Sequence, residues 1–168
     1  MKLTSFAQLV ILVLVVGFLQ PALADFDISE EKQAVIGQVD ALEQEIENMS
    51  MELWGYSEIA LREIESAEFL AAILEVEGFK LERGVADMPT AFVAEWGDGG
   101  PVIGILAEYD ALPNIGNEPV PLRQVRADGN PQGPGCGHNV FGAGLGAAAI
   151  SLKGTVVAHG LLGTLTLF

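Results

Sequence analysis

A run of small residues in the last third of the sequence places the strongest constraint on how this chain can fold. Residues 142–150 are all Gly or Ala apart from Leu145 and Ile150. The run predicts a helix from residue 140 to about 157, and its small side chains would let that helix approach a sheet closely. The segment is apolar enough to resemble a membrane helix, but its glycine content and length favour a buried core helix.

Two more helices are predicted earlier in the chain. Apolar residues recur at intervals of three and four from residue 28 to about 53, and Ser29 is a suitable N-cap. A second helix is expected from about residue 57 to 77, with Gly78 at its C-terminal end. Neither segment contains an obvious reactive group, so we interpret both helices as packing elements.

Four segments are candidate strands. Residues 79–83 are a short candidate, residues 90–96 and 102–107 are apolar, and residues 163–168 begin a further β-prone run. The short Gly-rich turn at residues 97–100 predicts that the second and third segments pair as a hairpin. The third segment is apolar at nearly every position, which is typical of a strand covered on both faces. Together, the helices and strands predict an α/β fold.

The first 24 residues have the features of a secretory signal peptide. Lys2 supplies a positive charge, residues 9–19 form an uncharged apolar run, and Ala22-Leu23-Ala24 fits the cleavage rule, with cleavage before Asp25. We therefore expect an exported mature chain, residues 25–168, in a bacterial periplasm. An uncleaved N-terminal anchor is the alternative.

The charge balance excludes some classes of partner. The chain has 168 residues, enough for one domain with a hydrophobic core, and 23 acidic side chains stand against 8 Lys and Arg, for a formal net charge of −15. This excess of negative charge argues against nucleic acid and, once the signal is cleaved, against anionic membrane surfaces. The single cysteine excludes an internal disulfide.

That cysteine, Cys136, stands two residues before His138, at the start of the predicted Gly/Ala-rich helix. A thiolate and an imidazole are both good ligands for a divalent metal such as zinc, and the neighbouring glycines let the backbone approach a small ion. Alternatively, Cys136 is a buried thiol and His138 a packing residue. His159, near the end of the same helix, is interpreted as a surface residue.

Two carboxylates, Glu108 and Asp110, directly follow the strand at residues 102–107. Strand ends are where α/β folds place their functional sites. Residues 114–135 then form a long segment rich in Pro, Gly and Asn with no hydrophobic periodicity. Such a segment is usually a functional or a disordered loop, and this one leads the chain to Cys136.

Three stretches in combination resemble one protein family. They are Trp-Gly-Tyr-Ser-Glu at residues 54–58, residues 84–94 continuing into 104–113, and Gly-Cys-Gly-His-Asn at 135–139. The resemblance is to the amidohydrolase branch of the co-catalytic metallopeptidases, which includes hippurate hydrolase and the auxin-conjugate hydrolases. It covers residues 28–168 and implies that they are the N-terminal part of a metallopeptidase catalytic domain, a mixed sheet flanked by helices.

The resemblance also implies a reaction and a set of site residues. The expected activity is that of a binuclear metal hydrolase, containing Mn²⁺ or Zn²⁺, that cleaves an amide bond to an amino acid in a small, dipeptide-like substrate. Cys136 and His138 match the family's metal ligands. Asp110 matches an aspartate that supports a ligand without binding the metal itself. A homo-oligomer or hetero-oligomer is expected.

The sequence departs from the family pattern beyond the last strand. The family's general base is a glutamate in a Gly-Thr-Pro-Ala-Glu-Glu motif that would come after Phe168, and two more ligand histidines and a dimerisation domain lie further on. Two protein ligands are fewer than a catalytic zinc normally requires. We therefore expect an incomplete catalytic domain that by itself binds metal weakly and is inactive. The alternative is an exported metal- or ligand-binding remnant without catalysis.

Overall fold

A computed structural model describes residues 28–168, in which three α-helices are followed by three β-strands, a long loop, a fourth α-helix and a last strand. The α-helices are α1 (Glu30–Ala41), α2 (Glu43–Tyr56), α3 (Ile64–Val76) and α4 (His138–Ala158), with a short 3-10 helix at Val85–Asp87. The strands are β1 (Lys80–Arg83), β2 (Phe92–Asp98), β3 (Val102–Ile105) and β4 (Gly163–Leu167). The predicted signal peptide lies outside the described residues.

The four strands form one mixed sheet in the order β1-β2-β4-β3. Strand β2 runs antiparallel to both of its neighbours, whereas β3 and β4 are parallel. Parallel neighbours need a long crossover connection, and here it consists of the loop after β3 followed by α4. The predicted α/β fold with a mixed, helix-flanked sheet is therefore confirmed.

Helix α4 lies at the centre of the packing. It contacts α1, α2, α3 and the sheet. Its small side chains form the buried face, with Ala143, Ala147 and Ala149 fully inaccessible to solvent. The helix is long and apolar enough to cross a membrane by length and composition alone, but its small-residue face is packed into the core as predicted. It begins at His138, two residues earlier than expected.

The first predicted helix is wrong in one respect. Instead of one helix from residue 28 to 53, the chain forms α1 and α2, which are separated at Leu42. The φ and ψ angles of Leu42 are −94° and 5°, still close to helical, so the hydrophobic periodicity continues across the break. A break of a single residue does not change the spacing of the apolar residues, so the sequence pattern cannot reveal it. The predicted N-cap is confirmed, since the Ser29 hydroxyl accepts a bond from the Lys32 N–H at 3.4 Å.

The second predicted helix begins too early, because α3 starts at Ile64 and not near residue 57. Ser57 and Leu61 both have positive φ, 43° and 64°, which a helix cannot accommodate. Glu58 belongs to the cap of α3, because its carboxylate accepts bonds from the backbone N–H groups of Glu65 and Ser66 at 3.1 and 2.9 Å. At the other end, Gly78 follows the helix with a φ of 85°, as predicted.

The predicted hairpin is wrong, because β4 lies between β2 and β3. The first residues of β4 pair on one side with Asp98 and Gly97 and on the other with Val102. The short turn therefore spans two strand spacings, about 10 Å, which three extended residues can reach. A local turn pattern cannot reveal a strand inserted from more than sixty residues later in the sequence.

The prediction that residues 102–107 are covered on both faces is also wrong within the described part of the chain. Strand β3 is an edge strand there, and Val102 and Leu106 are 67% and 66% exposed.

The long loop between β3 and α4 is fixed by one buried cation, Arg126. Its guanidinium donates to the backbone carbonyls of Trp54 and Gly55, at 2.8 Å each, and lies over the Trp54 ring. These carbonyls are at the C-terminal end of α2, where the partial negative charge of the helix favours a cation. Arg126 also bonds Asp128, which lowers the pKa of that carboxyl to about 2. The loop is thereby attached to the helix and is ordered.

Replacing this cation should destabilise the fold. We expect Arg126→Ala to lower the free energy of unfolding by about 2–4 kcal/mol, because it leaves buried carbonyls unpaired. Arg126→Lys, which keeps the charge but loses the planar fork, should lie between wild type and alanine. Denaturant titration followed by circular dichroism measures the change. Arg123→Ala, at an exposed arginine of the same loop, is the control; equal losses in the two alanine variants would refute the anchoring role.

Candidate metal centre

The carboxylates of Glu108 and Asp110 reach the same side of the chain after β3. Side chains alternate along an extended backbone, so Tyr109 points away from them. The Tyr109 ring stacks on Phe92, with 6.1 Å between centroids, and its hydroxyl donates to the Thr90 carbonyl. Burial, followed by the nearby charges of Glu63 and Glu58, raises the pKa of Tyr109 to about 12. The tyrosine thus fixes the orientation of the segment that contains both carboxylates.

Hydrogen bonds hold this strand end on two sides. The N–H of Ala111 donates to the Glu58 carbonyl at 2.7 Å, and Leu112 exchanges two backbone bonds with Gly133, at 2.9 and 3.1 Å. Gly133 belongs to the returning part of the long loop, three residues before Cys136. The loop is therefore paired with the strand end immediately before it delivers the cysteine.

His138 is the first residue of α4 and lies between the two carboxylates. Its Nδ1 is 2.7 Å from Asp110 Oδ1, and its Nε2 is 3.0 Å from Glu108 Oε2. The preceding residue, Gly137, has a φ of 80°, a conformation that glycine adopts without strain. The glycine between Cys136 and His138 thus provides the turn from which α4 begins.

Cys136 is exposed and borders the same open pocket as Glu108 and His138, which has a volume of about 440 Å³. Apolar side chains of α4, including Val140, Phe141 and Leu145, form the rest of its wall. The alternative of a buried thiol is wrong, since the thiol is at the surface. His159 is exposed near the C-terminal end of α4, as expected.

The donor atoms that lie together suit a divalent metal. Ligand atoms of Glu108, Asp110 and His138 all lie within 4.8 Å of one another. Carboxylate and imidazole donors suit Mn²⁺ and Zn²⁺, and a thiolate suits Zn²⁺. Of the predicted residues, Cys136 and His138 border this pocket, and Asp110 contacts the His138 ring at Nδ1. The group of donors within 4.8 Å does not contain the Cys136 thiol. The sequence indicates Glu108 as one of two carboxylates at a strand end but does not assign it as a ligand.

Comparisons with known proteins give one sequence relative. No family model matches the chain. Over 130 residues, 77% of this chain, it is 35% identical to one subunit of the p-aminobenzoyl-glutamate hydrolase of Escherichia coli K12. The predicted family resemblance is confirmed.

Two solved structures share the fold of this chain. One is a dinuclear metal-binding peptidase of the M20 family from Bacillus subtilis, with a TM-score of 0.61 and 25% identity, over 76% of this chain and 34% of that chain. The other is a protein from methicillin-resistant Staphylococcus aureus, assigned as an aminohydrolase, with a TM-score of 0.66 and 20% identity, over 80% of this chain and 33% of that chain.

All three relatives are much longer than the matched region. The chain spans about 27% of the length of the E. coli subunit and about a third of each solved structure. The resemblance therefore concerns only a part of these proteins.

One turn after His138, Gly142 lets α4 pass close to the carboxylate segment. A Cβ at Gly142 would lie 3.1 Å from the Glu108 carbonyl oxygen and 3.3 Å from Leu70 Cδ1. In contrast, a Cβ at Gly144 or Gly146 would meet nothing within 4 Å. The spacing between the imidazole and Glu108 therefore depends on the absence of a side chain at Gly142.

This difference gives a matched set of alanine variants. Gly144→Ala should stabilise the fold by about 0.5–1 kcal/mol, through helix propensity alone. Gly142→Ala should lose that gain to overpacking, and we expect it to be about 1–2 kcal/mol less stable than Gly144→Ala. Denaturant titration of the two variants gives the comparison. Equal stabilities would show that α4 can shift away from Glu108 without cost.

Proposed function

We propose that this chain forms part of a metal-dependent amidohydrolase that cleaves an amide bond to an amino acid. The proposed substrate is a small N-acyl amino acid or a p-aminobenzoyl-glutamate-like compound. The observation on which the proposal rests is the placement of His138 between Glu108 and Asp110, beside the exposed Cys136. The similarity to the E. coli subunit and to the dinuclear metal-binding peptidase supports it.

The arrangement around His138 favours a cation at one side of the ring. If Nδ1–H donates to Asp110, the neutral imidazole presents its Nε2 lone pair to Glu108 Oε2, 3.0 Å away. Two acceptors at this distance repel each other unless a proton or a metal ion lies between them. Asp110 then orients the ring, as carboxylates do for metal-binding histidines, while His138 and Glu108 are available as ligands.

Cys136 is the third ligand that we assign to the centre, after His138 and Glu108. It lies on the same pocket wall, and a metal ion would hold it as the thiolate. A bound divalent ion would supply an activated water and polarise the substrate carbonyl. The residues of this chain hold and orient that ion; we propose that the general base comes from a longer protein and that the chain alone does not hydrolyse substrate.

The partners of the complete protein are also proposed. The E. coli relative is named as one subunit of a hydrolase, which supports a hetero-oligomer. The substrate pocket would be completed by protein regions equivalent to the unmatched parts of the relatives. The metal is proposed to be Mn²⁺ or Zn²⁺, because the donor set includes carboxylates, an imidazole and a thiol.

Metal binding can be tested through the single cysteine. We expect Zn²⁺ or Mn²⁺ to slow the reaction of Cys136 with a chromogenic disulfide reagent, by about tenfold at a metal concentration ten times the dissociation constant. His138→Ala should lose this protection, and His159→Ala should keep it, since His159 is exposed near the far end of the helix. Equal reactivity with and without metal would overturn the assignment of Cys136.

The same preparations test the absence of turnover. Release of p-aminobenzoate from p-aminobenzoyl-glutamate, or of glycine from hippurate, should stay at the background rate for the 168-residue chain in saturating metal. Hydrolysis above background that disappears in Cys136→Ser would show that the chain is itself a working enzyme. Metal protection without turnover is the expected combination.

Export is proposed from the sequence of residues 1–24. Expression of the complete chain in a bacterium should yield a periplasmic protein whose N-terminal residue is Asp25. Protein that remains in the membrane fraction with Met1 intact would favour the uncleaved anchor.

A further inference from the structure

Asn139 follows His138 in the motif, and the proposed metal centre assigns it no role. Its side-chain amide donates to Ser50 on α2, to the hydroxyl at 2.9 Å and to the backbone carbonyl at 3.2 Å. Asn139 is half-buried between the two helices. The bond connects residues 89 positions apart, so it fixes tertiary rather than local structure.

The first turn of α4 has no side-chain N-cap. Its N-cap is Gly137, which has no side chain to accept a bond from the free N–H groups of that turn. The helix enters directly from the long loop, and His138 is its first residue. A helix end without a side-chain cap frays readily. The bond from Asn139 to Ser50 therefore fixes the backbone of the turn that contains His138, in addition to the contacts of the ring itself with Asp110 and Glu108.

We propose that Asn139 is a positioning residue, which ties the first turn of α4 to α2 through Ser50 and so holds the His138 ring between Glu108 and Asp110. Asn139 itself touches neither the carboxylates nor the proposed ion. Its role rests on the proposed metal centre, but the position of the ring can be measured without metal.

Gly142 supports this inference from the next turn. A Cβ built at Gly142 would already lie 3.1 Å from the Glu108 carbonyl oxygen, so α4 has little room to move towards the strand end. The amide of Asn139 limits movement of the same turn away from α2. With both contacts present, rotation of the helix start about its axis is restrained, and this rotation would carry the imidazole off the line between the two carboxylates.

The helix offers a control of the same chemical kind. Gln38 on α1 donates a side-chain bond to Thr155 of α4 at 3.2 Å. Thr155 is seventeen residues from His138, about 25 Å along the helix. Gln38→Ala therefore removes a comparable interhelical bond to α4 but leaves the His138 end unchanged. A purely structural role for Asn139 predicts that the two alanine variants behave alike.

The experiment compares four variants: Asn139→Ala, Ser50→Ala, Ser50→Thr and Gln38→Ala. The first readout is the NMR signals of the imidazole ring in metal-free protein. The chain has only two histidines, so His159→Ala assigns the His138 signals. The second readout is the dissociation constant for Zn²⁺, obtained from protection of Cys136.

We expect Asn139→Ala to shift and broaden the His138 ring signals and to weaken Zn²⁺ binding about tenfold, a loss equivalent to one neutral hydrogen bond of about 1.4 kcal/mol. Ser50→Ala should give a smaller change in the same direction, since the carbonyl acceptor remains. Ser50→Thr restores the hydroxyl and should match wild type. Gln38→Ala should leave both readouts within twofold of wild type even where its melting temperature falls.

Two results would overturn the proposal. In one, Asn139→Ala leaves the His138 signals and Zn²⁺ affinity as in Gln38→Ala; in the other, Gln38→Ala moves them as much as Asn139→Ala does. If Asn139→Ala does not fold, the comparison of Ser50→Ala with Ser50→Thr decides. If wild type binds no Zn²⁺, the proposed metal centre fails, and the metal-free ring signals alone decide whether Asn139 positions His138.

Discussion

The close packing of α4 is the constraint on which the rest of the described structure depends. Ala143, Ala147 and Ala149 have no solvent-accessible surface, and Gly142 brings the helix backbone against the Glu108 carbonyl. Larger side chains on this face would separate the helix from α2 and from the strand end. The same small residues that allow a tight core therefore also determine where His138, one turn earlier, meets its two carboxylates.

Arg126 complements this packing from the loop side. A loop of this length loses a large conformational entropy when it is held in one conformation. The buried guanidinium donates hydrogen bonds to two backbone carbonyls at the end of α2 and to the Ser57 hydroxyl, the last at 2.9 Å. The middle of the loop is therefore fixed to the same helix that Asn139 contacts. Helix α2 is thus the common support for both ends of the segment that delivers Cys136.

The sequence predicts those features that depend on local patterns. The Gly/Ala-rich helix and the β-prone segments follow from periodicity, and the motif resemblance singles out both Asp110 and His138, which the structure brings into contact. The order of the strands does not, because β4 enters between β2 and β3 from a distant part of the chain. The break at Leu42 and the late start of α3 are also missed, since both occur within continuous apolar periodicity.

The anchoring interactions could not be predicted for a related reason. Arg126 and Asn139 act across 69 to 89 residues of sequence, and nothing in the composition of the loop distinguishes Arg126 from the exposed Arg123. Glu108 lies between these cases: its spacing from Asp110 indicates a paired site, but only the structure shows that its carboxylate faces Nε2 of His138. The sequence thus indicated the candidate ligands, but it did not indicate the tertiary hydrogen bonds that hold them in place.

In the described residues, the proposed metal centre is firmly held by the fold but offers few ligand atoms. Three ligand atoms lie within 4.8 Å, with one thiol beside them, whereas two metal ions need more ligands than these residues provide. Strand β3 shows the same imbalance, because its apolar residues suit a covered strand but are exposed at the sheet edge. Both features fit the proposal that further protein completes the sheet and the ligand set. On that view, α2 and α4 hold the ligands of this chain in position, and the remaining ligands come from further protein.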